Sequence, residues 1–226
     1  MTFNNDLEKY FFANPSKPLP VFKWHHYFDI YDRHFSRFRG KNPNILEIGI
    51  GDGGSLLMWK NYFLDGAKVF GIDNRTECKE LLKNNHFDGV NIEVGDQADK
   101  NFWAEFIKKS PKFDIVIDDG GHKMDQQINS FTYLYENIAD EGIYLVEDTH
   151  TSYFDNEEFE GGLGKKGTFV EFAKNFIDSL HAYHYENDSS SSATKFRNIT
   201  DSIHFYDSII LFEKSVCEKR PLASKR

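Results

Sequence analysis

Two short segments concentrate the residue types that could do chemistry. Asp118-Asp119-Gly120-Gly121-His122 follows the apolar run Ile115-Val116-Ile117, and Glu147-Asp148-Thr149-His150 follows Ile143-Tyr144-Leu145-Val146. Carboxylates at buried strand ends are costly unless something neutralises them. A hard divalent cation does so, and three clustered carboxylates are typical oxygen ligands for one. The pattern points to metal-assisted chemistry.

A third segment, Ile45-Leu46-Glu47-Ile48-Gly49-Ile50-Gly51-Asp52-Gly53-Gly54, is an apolar strand running into a glycine-rich turn. Gly49, Gly51 and Gly54 match G-x-G-x-x-G, which permits a tight turn and close backbone approach to a ligand. Asp73 ends the next apolar run, where an acid would hold a ribose hydroxyl pair. Glu47 would lie near a cofactor ammonium or sulfonium. Asp96, in Gly95-Asp96-Gln97 after the third run, could accept from an adenine amino group, and Asp118 would lie near a methionine portion. A pocket this acidic suits a cationic cofactor and disfavours a pyrophosphate. S-adenosylmethionine is therefore favoured over a dinucleotide.

The elements that must position these residues follow from periodicity. Apolar runs at Asn44–Ile48, Lys68–Ile72, Val90–Val94, Phe113–Ile117 and Ile143–Val146 read as strands. Helical patterns at Ser55–Phe63, Glu77–Asn84, Lys100–Lys109, Gln126–Ile138 and Thr168–Leu180 alternate with or follow them. This rhythm predicts βαβ units: an α/β fold with a doubly wound, mostly parallel sheet. Ser202–Tyr206 and Ile209–Glu213 predict a terminal antiparallel hairpin, giving seven strands. Residues 1–20 read as an irregular arm, followed by an aromatic helix from Trp24 to Phe38 that ends at Gly40. The parts are thus an arm and helix (1–40), the main domain (41–215) with a substrate loop at about 151–168, and a charged, frayed tail (216–226). Asn187–Thr194, with four consecutive serines, reads as a loop.

Composition narrows the class. The chain has 226 residues, 39% hydrophobic and 28% charged, with 22 Phe and 11 Tyr, enough for a sizeable core. A net charge of -9 argues against non-specific nucleic-acid binding. Cys78 and Cys217 form no disulfide framework or zinc pattern, and no run approaches a membrane span. The N-terminus lacks a signal-peptide pattern, so the expected location is the cytoplasm. The aromatic N-terminal segment could pack on another subunit in a homo-oligomer.

With these segments together, the chain resembles class I S-adenosylmethionine-dependent methyltransferases. It looks like the metal-dependent branch with mycinamicin-type macrolide-sugar O-methyltransferases and cephalosporin-hydroxylase-like proteins. The resemblance rests on Leu46–Gly49, Gly54-Ser55-Leu56, Met58-Trp59, Phe70–Asp73, Asp118–His122, Ser130-Phe131, Glu147–Tyr153, Lys23-Trp24 with Tyr27, and Ile203–Asp207. Gly121 departs from it, where the family often has Ser. The resemblance implies a Rossmann-like methyltransferase fold and a magnesium ion held by Asp119, Glu147 and Asp148. It implies a general base at His122, with His150 as a second candidate. It also implies a cofactor site with Glu47, Gly49, Gly51, Ser55, Asp73, Asp96, Gln97 and Asp118, and an acceptor bearing a vicinal diol, as on a sugar.

Plainer readings stand beside these. Asp118 and Asp119 could cap a helix, and Glu147 and Asp148 could form a solvated turn. His150 could be a base, a substrate contact or packing. His25, His26 and His34 read as surface or packing residues, and the Trp24/Tyr27/Phe28/Tyr31 stripe as core. The Asn-, Lys-, Phe- and Ile-rich composition suggests a bacterial surface glycan as acceptor, with a glycosylated natural product as the other option. Rival activities are a catechol-type O-methyltransferase, a nicotinamide-dependent oxidoreductase and a non-catalytic binding subunit.

Overall fold

The computed structural model describes residues 2–13, 19–83, 85–185 and 191–216. Five parallel strands form the centre of the sheet: β1 (Asn44–Ile48), β2 (Lys68–Asp73), β3 (Val90–Val94), β4 (Ile115–Asp118) and β5 (Ile143–Val146). β6 (Thr200–Phe205) and β7 (Ile210–Lys214) make the antiparallel hairpin, and the order is β3-β2-β1-β4-β5-β7-β6. Helices α1 (Asp6–Ala13), α2 (Tyr27–Phe35) and α3 (Gly54–Phe63) cover one face. The other face carries α4 (Lys100–Lys109), α5 (Met124–Leu134), α6 (Phe169–Leu180) and α7 (Ser191–Ile199).

Strand alternation divides the core in two. Ile45, Ile115, Ile117, Ile143 and Leu145 pack with α1–α3, whereas Leu46, Ile48, Val116, Tyr144 and Val146 pack with α4–α7. Successive side chains point to opposite faces. That parity puts Glu47 on the α2 face and Asp118 on the other, and carried on past the ends of β4 and β5 it sends Asp119 and Glu147 to the α2 face. Register keeps the ends level: Ile48 lies opposite both Ile72 and Asp118, and Asp118 opposite Val146. The strand order reverses between β1 and β4, the place where open α/β sheets form ligand crevices. There Gly49 has φ +81°, and a Cβ on it would stand 2.1 Å from the Asp119 carbonyl oxygen. Only glycine fits that approach.

α2 is tied to the hairpin. His34 Nδ1 lies 2.6 Å from Glu213 Oε1 and its Nε2 lies 2.8 Å from the Tyr206 hydroxyl. The helix is thereby held over the carboxyl ends of the strands.

The expected architecture holds, with local corrections. The arm is not wholly irregular: α1 forms because Asn5 Oδ1 accepts from the Glu8 amide at its start and Leu7 and Tyr10 are buried. Thr76–Lys83 winds as a 3-10 helix rather than an α-helix; among these eight residues Cys78 alone is buried, too narrow an apolar stripe to dock a regular helix. The expected serine-rich loop is helical from Ser191; Asn187–Ser190, the frayed tail from residue 217 and Cys217 lie outside the described residues. No helix among the described residues is long and apolar enough to cross a membrane.

Candidate active site

A cavity of about 720 Å³ opens at the carboxyl ends of the parallel strands. Its walls include Gly49, Gly51, Ser55, Asp73, Asp96, Gln97, Asp119, His122, Glu147 and Asp148. Sequence reasoning named all ten. Glu47, Asp118 and His150 do not line it.

At one end lies the glycine turn. The Gly51 amide donates to Asp73 Oδ2 at 3.2 Å, so the acid braces the turn. Arg75 Nε also bonds Asp73 Oδ1 at 3.0 Å, a partner that sequence reasoning missed. Asp96 accepts from the Ala98 amide at 2.8 Å, at the cavity rim. Gln97 donates to Asp118 Oδ1 at 2.6 Å and accepts from the Gly121 amide at 3.1 Å. The Tyr144 hydroxyl donates to the other Asp118 oxygen at 3.2 Å. Burial pushes Asp118 up to about 7, against the hydrogen bonds from Gln97, the Gly120 backbone, Tyr144 and Ser130. The Asp118 side chain thus belongs to a buried brace on the α4–α6 side of the sheet. Its parity is opposite to that of Asp119, and it does not line the cavity.

At the other end the carboxylates converge on a cation from the chain itself. Lys23 Nζ lies 2.6 Å from Asp119 Oδ2, 2.9 and 3.0 Å from the two Glu147 oxygens and 3.3 Å from Glu47 Oε1. Glu47 is fully buried and also accepts from Ser55 Oγ at 2.6 Å. It therefore supports the cluster from beneath. Two tyrosines of α2 complete the shell: the Tyr31 hydroxyl donates to Glu147 Oε1 at 2.7 Å and the Tyr27 hydroxyl to Asp148 Oδ1 at 2.6 Å. Tyr27 and Tyr31 stand four residues apart on one face of α2, and Lys23 reaches the same carboxylates from the non-helical segment before it. That spacing was the available signal, but the stripe reads equally well as core.

The electrostatics are unbalanced. Burial raises Glu47, Asp119 and Glu147 above the usual carboxylate range, although Lys23 pulls each down. Burial alone would lower Lys23, but Asp119, Glu147 and Glu47 outweigh it and hold it charged. One ammonium therefore serves three carboxylates, with Asp148 close by. Among the described residues, oxygens of Asp119 and Asp148 and a ring nitrogen of His122 lie within 4.8 Å of one another, and this carboxylate-rich set, short of positive charge, fits a divalent cation.

His122 stands beside the cluster, with Nε2 3.5 Å from Asp148 Oδ2 and 3.8 Å from Asp119 Oδ1. Its Nδ1 is buried with no hydrogen-bond partner among the described residues. Burial lowers its pKa, keeping the ring neutral and able to accept a proton. His122 and Asp148 both adopt positive φ, +55° and +52°. Left-handed backbone costs non-glycine residues on the order of 1–2 kcal/mol each. Strain at two adjoining polar residues is typical of functional sites. His150 Nδ1 is 3.9 Å from Asp148 Oδ1, and its ring lines a second cavity of about 310 Å³ with Tyr153, Lys174 and Phe205.

No family model matches the chain. It is 33% identical over 202 residues to the 8-demethyl-8-alpha-L-rhamnosyl tetracenomycin-C 2'-O-methyltransferase of Streptomyces olivaceus, covering 85% of this chain and 51% of that protein. It is 33% identical over 205 residues to the demethylmacrocin O-methyltransferase of Streptomyces fradiae, covering 86% of this chain and 50% of that one. Among solved structures it matches the MycE methyltransferase of the mycinamycin biosynthetic pathway, in complex with Mg, SAH and mycinamycin VI. The TM-score is 0.76 at 28% identity, over 93% of this chain and 53% of that one. The chain spans about half the length of the curated relatives it matches. Over that shared half, the chain is similar in sequence to sugar O-methyltransferases and shares its fold with a methyltransferase solved with Mg and SAH.

Proposed function

We propose that this protein transfers a methyl group from S-adenosylmethionine to a hydroxyl of a sugar, with a magnesium ion as essential partner. The observation that carries this reading is the meeting, in one cavity, of a glycine turn braced by Asp73 and a carboxylate cluster converging on a single cation. Asp119, Glu147 and Asp148 would hold the ion, which supplies Lewis-acid polarisation and orientation for a vicinal diol.

The chain's own residues do the rest. Gly49 and Gly51 let the backbone approach the cofactor, and Asp73 would exchange its Arg75 bond for the ribose hydroxyls. The acidic walls favour a sulfonium over a pyrophosphate. His122 Nε2, on the edge of the carboxylate cluster, would take the proton of the reacting hydroxyl. The new O–CH₃ bond forms as the methyl–sulfur bond breaks, and S-adenosylhomocysteine leaves. No covalent enzyme intermediate is needed.

The relatives' names favour a glycosylated small molecule as acceptor: one acts on a rhamnosyl tetracenomycin, and MycE was solved with mycinamycin VI. Nothing beyond composition supports a surface glycan. The substrate-loop role of residues 151–168 is part of the proposal. Thr151 Oγ1 donates to the His122 carbonyl at 2.9 Å, which links the start of that segment to the base.

A panel of acceptors with S-adenosylmethionine and magnesium tests the reading by mass spectrometry. Glycosides with a vicinal diol should each gain one methyl group, and their deoxy analogues lacking one partner hydroxyl should not. Methylation of catechols alone would transfer the activity to the rival class.

A further inference from the structure

We infer that Lys23 is the resident cation of the carboxylate cluster, competing with the divalent ion and coupling its arrival to the strap that walls the cofactor cavity. The inference rests on the reading of Asp119, Glu147 and Asp148 as metal ligands.

The segment Pro20–Trp24 runs along the cavity without regular secondary structure before turning into α2 at His25-His26, and Pro20, Val21, Phe22, Lys23 and Trp24 all line it. Its side chains alternate. Val21 is buried in the core and the Lys23 side chain is 2% exposed, whereas Phe22 is 97% and Trp24 54% exposed. The strap lies close on the glycine turn, since a Cβ on Gly54 would stand 1.9 Å from the Pro20 carbonyl oxygen. Leu19 and Val21 hold it to the core and the Trp24 ring lies against His150, while the buried Lys23 ammonium, bonded to three carboxylates, is its polar anchor.

Two cations cannot share those oxygens at no cost. Lys23 Nζ already sits within 3.0 Å of one Asp119 oxygen and both Glu147 oxygens. A divalent ion taking Asp119 and Glu147 as ligands must displace the ammonium from them, leaving it Glu47, which is fully buried and does not line the cavity. Lys23 therefore retreats toward Glu47 and the strap moves with it, carrying Trp24. The same retreat keeps Glu47 compensated, so the lysine is retained in both states. Lys23 is a positioning residue: it acts on the reaction through the ion and the strap.

Calorimetric titration of magnesium into the chain in the presence of S-adenosylhomocysteine, for wild type and Lys23→Met, tests this. Removing a cation a few ångströms from the ion should tighten binding at least ~10-fold. In parallel, acrylamide quenching reports the strap in the wild-type protein, because Trp24 is exposed while Trp59 and Trp103 are fully buried. Saturating magnesium should change the quenching of the wild type and leave that of Trp24→Phe unaltered. Equal or weaker magnesium binding by Lys23→Met, or unchanged wild-type quenching at saturation, overturns the inference while the metal reading stands. No magnesium binding by either protein sinks both. If Lys23→Met does not fold, as judged by circular dichroism, the wild-type quenching decides.

Discussion

At the scale of single residues, the site is a contest over charge. Glu147 shares its oxygens between Tyr31 and Lys23, so Tyr31→Phe leaves a buried carboxylate with one donor fewer. That should cost roughly 1–3 kcal/mol of stability, measured by denaturant unfolding. An unchanged midpoint would mean that the hydroxyl contributes nothing to Glu147. His122→Ala should lower turnover by roughly 10²–10⁴-fold with S-adenosylhomocysteine affinity preserved; lost cofactor affinity would show that the residue serves the cofactor instead. The pH profile carries a sign. Burial depresses His122, so the neutral, proton-accepting ring persists below the usual imidazole range near 6.5. The acid limb of turnover should be centred below 6.5, and a nearby metal ion would push in the same direction. A limb centred above 6.5 would contradict this. Asp119, Glu147, Asp148 and His122 are legible in sequence because all four fall within five residues of the end of an apolar run. Lys23 is not, because its partners stand 24, 96 and 124 residues away.

At the scale of elements, strand parity decides which acid does what. Glu47, Asp119 and Glu147 continue the α2 face of β1, β4 and β5, and Asp118 continues the other. All seven strands were readable from their apolar runs, with β4 and β6 each displaced by two residues at the start. α1 and the 3-10 helix at Thr76–Lys83 were not, since their form depends on what each segment can bury against the sheet. The glycine turn makes the most exacting demand. In Gly49→Ala the added carbon would meet the Asp119 carbonyl at 2.1 Å, in a backbone region that disfavours alanine. The clash is with backbone, so β1 and β4 must part at the switch point. A loss of at least ~2 kcal/mol, or a Tm lower by about 5 °C, should accompany weakened cofactor binding. Gly51→Ala meets no atom within 4 Å and bears only the cost of its φ of +51°. It should be milder, and equal effects would refute the close-approach argument.

At the scale of the whole molecule, two groups of residues share one edge of the sheet. The glycine turn and Asp73 occupy the β1–β2 side of the cavity, and the carboxylate cluster the β4–β5 side, under α2 and the strap. The chain supplies this arrangement within about half the length of its curated relatives. A cofactor methyl and a metal-held diol would therefore meet across the end of β4, beside His122. The most direct test is methyl transfer from labelled S-adenosylmethionine to a rhamnosyl glycoside, with magnesium, with excess chelator, and with magnesium restored. Turnover should vanish with chelator and return with magnesium in the wild type, and Asp119→Asn should show little turnover in any condition while still binding S-adenosylhomocysteine. Full turnover in excess chelator would contradict the account.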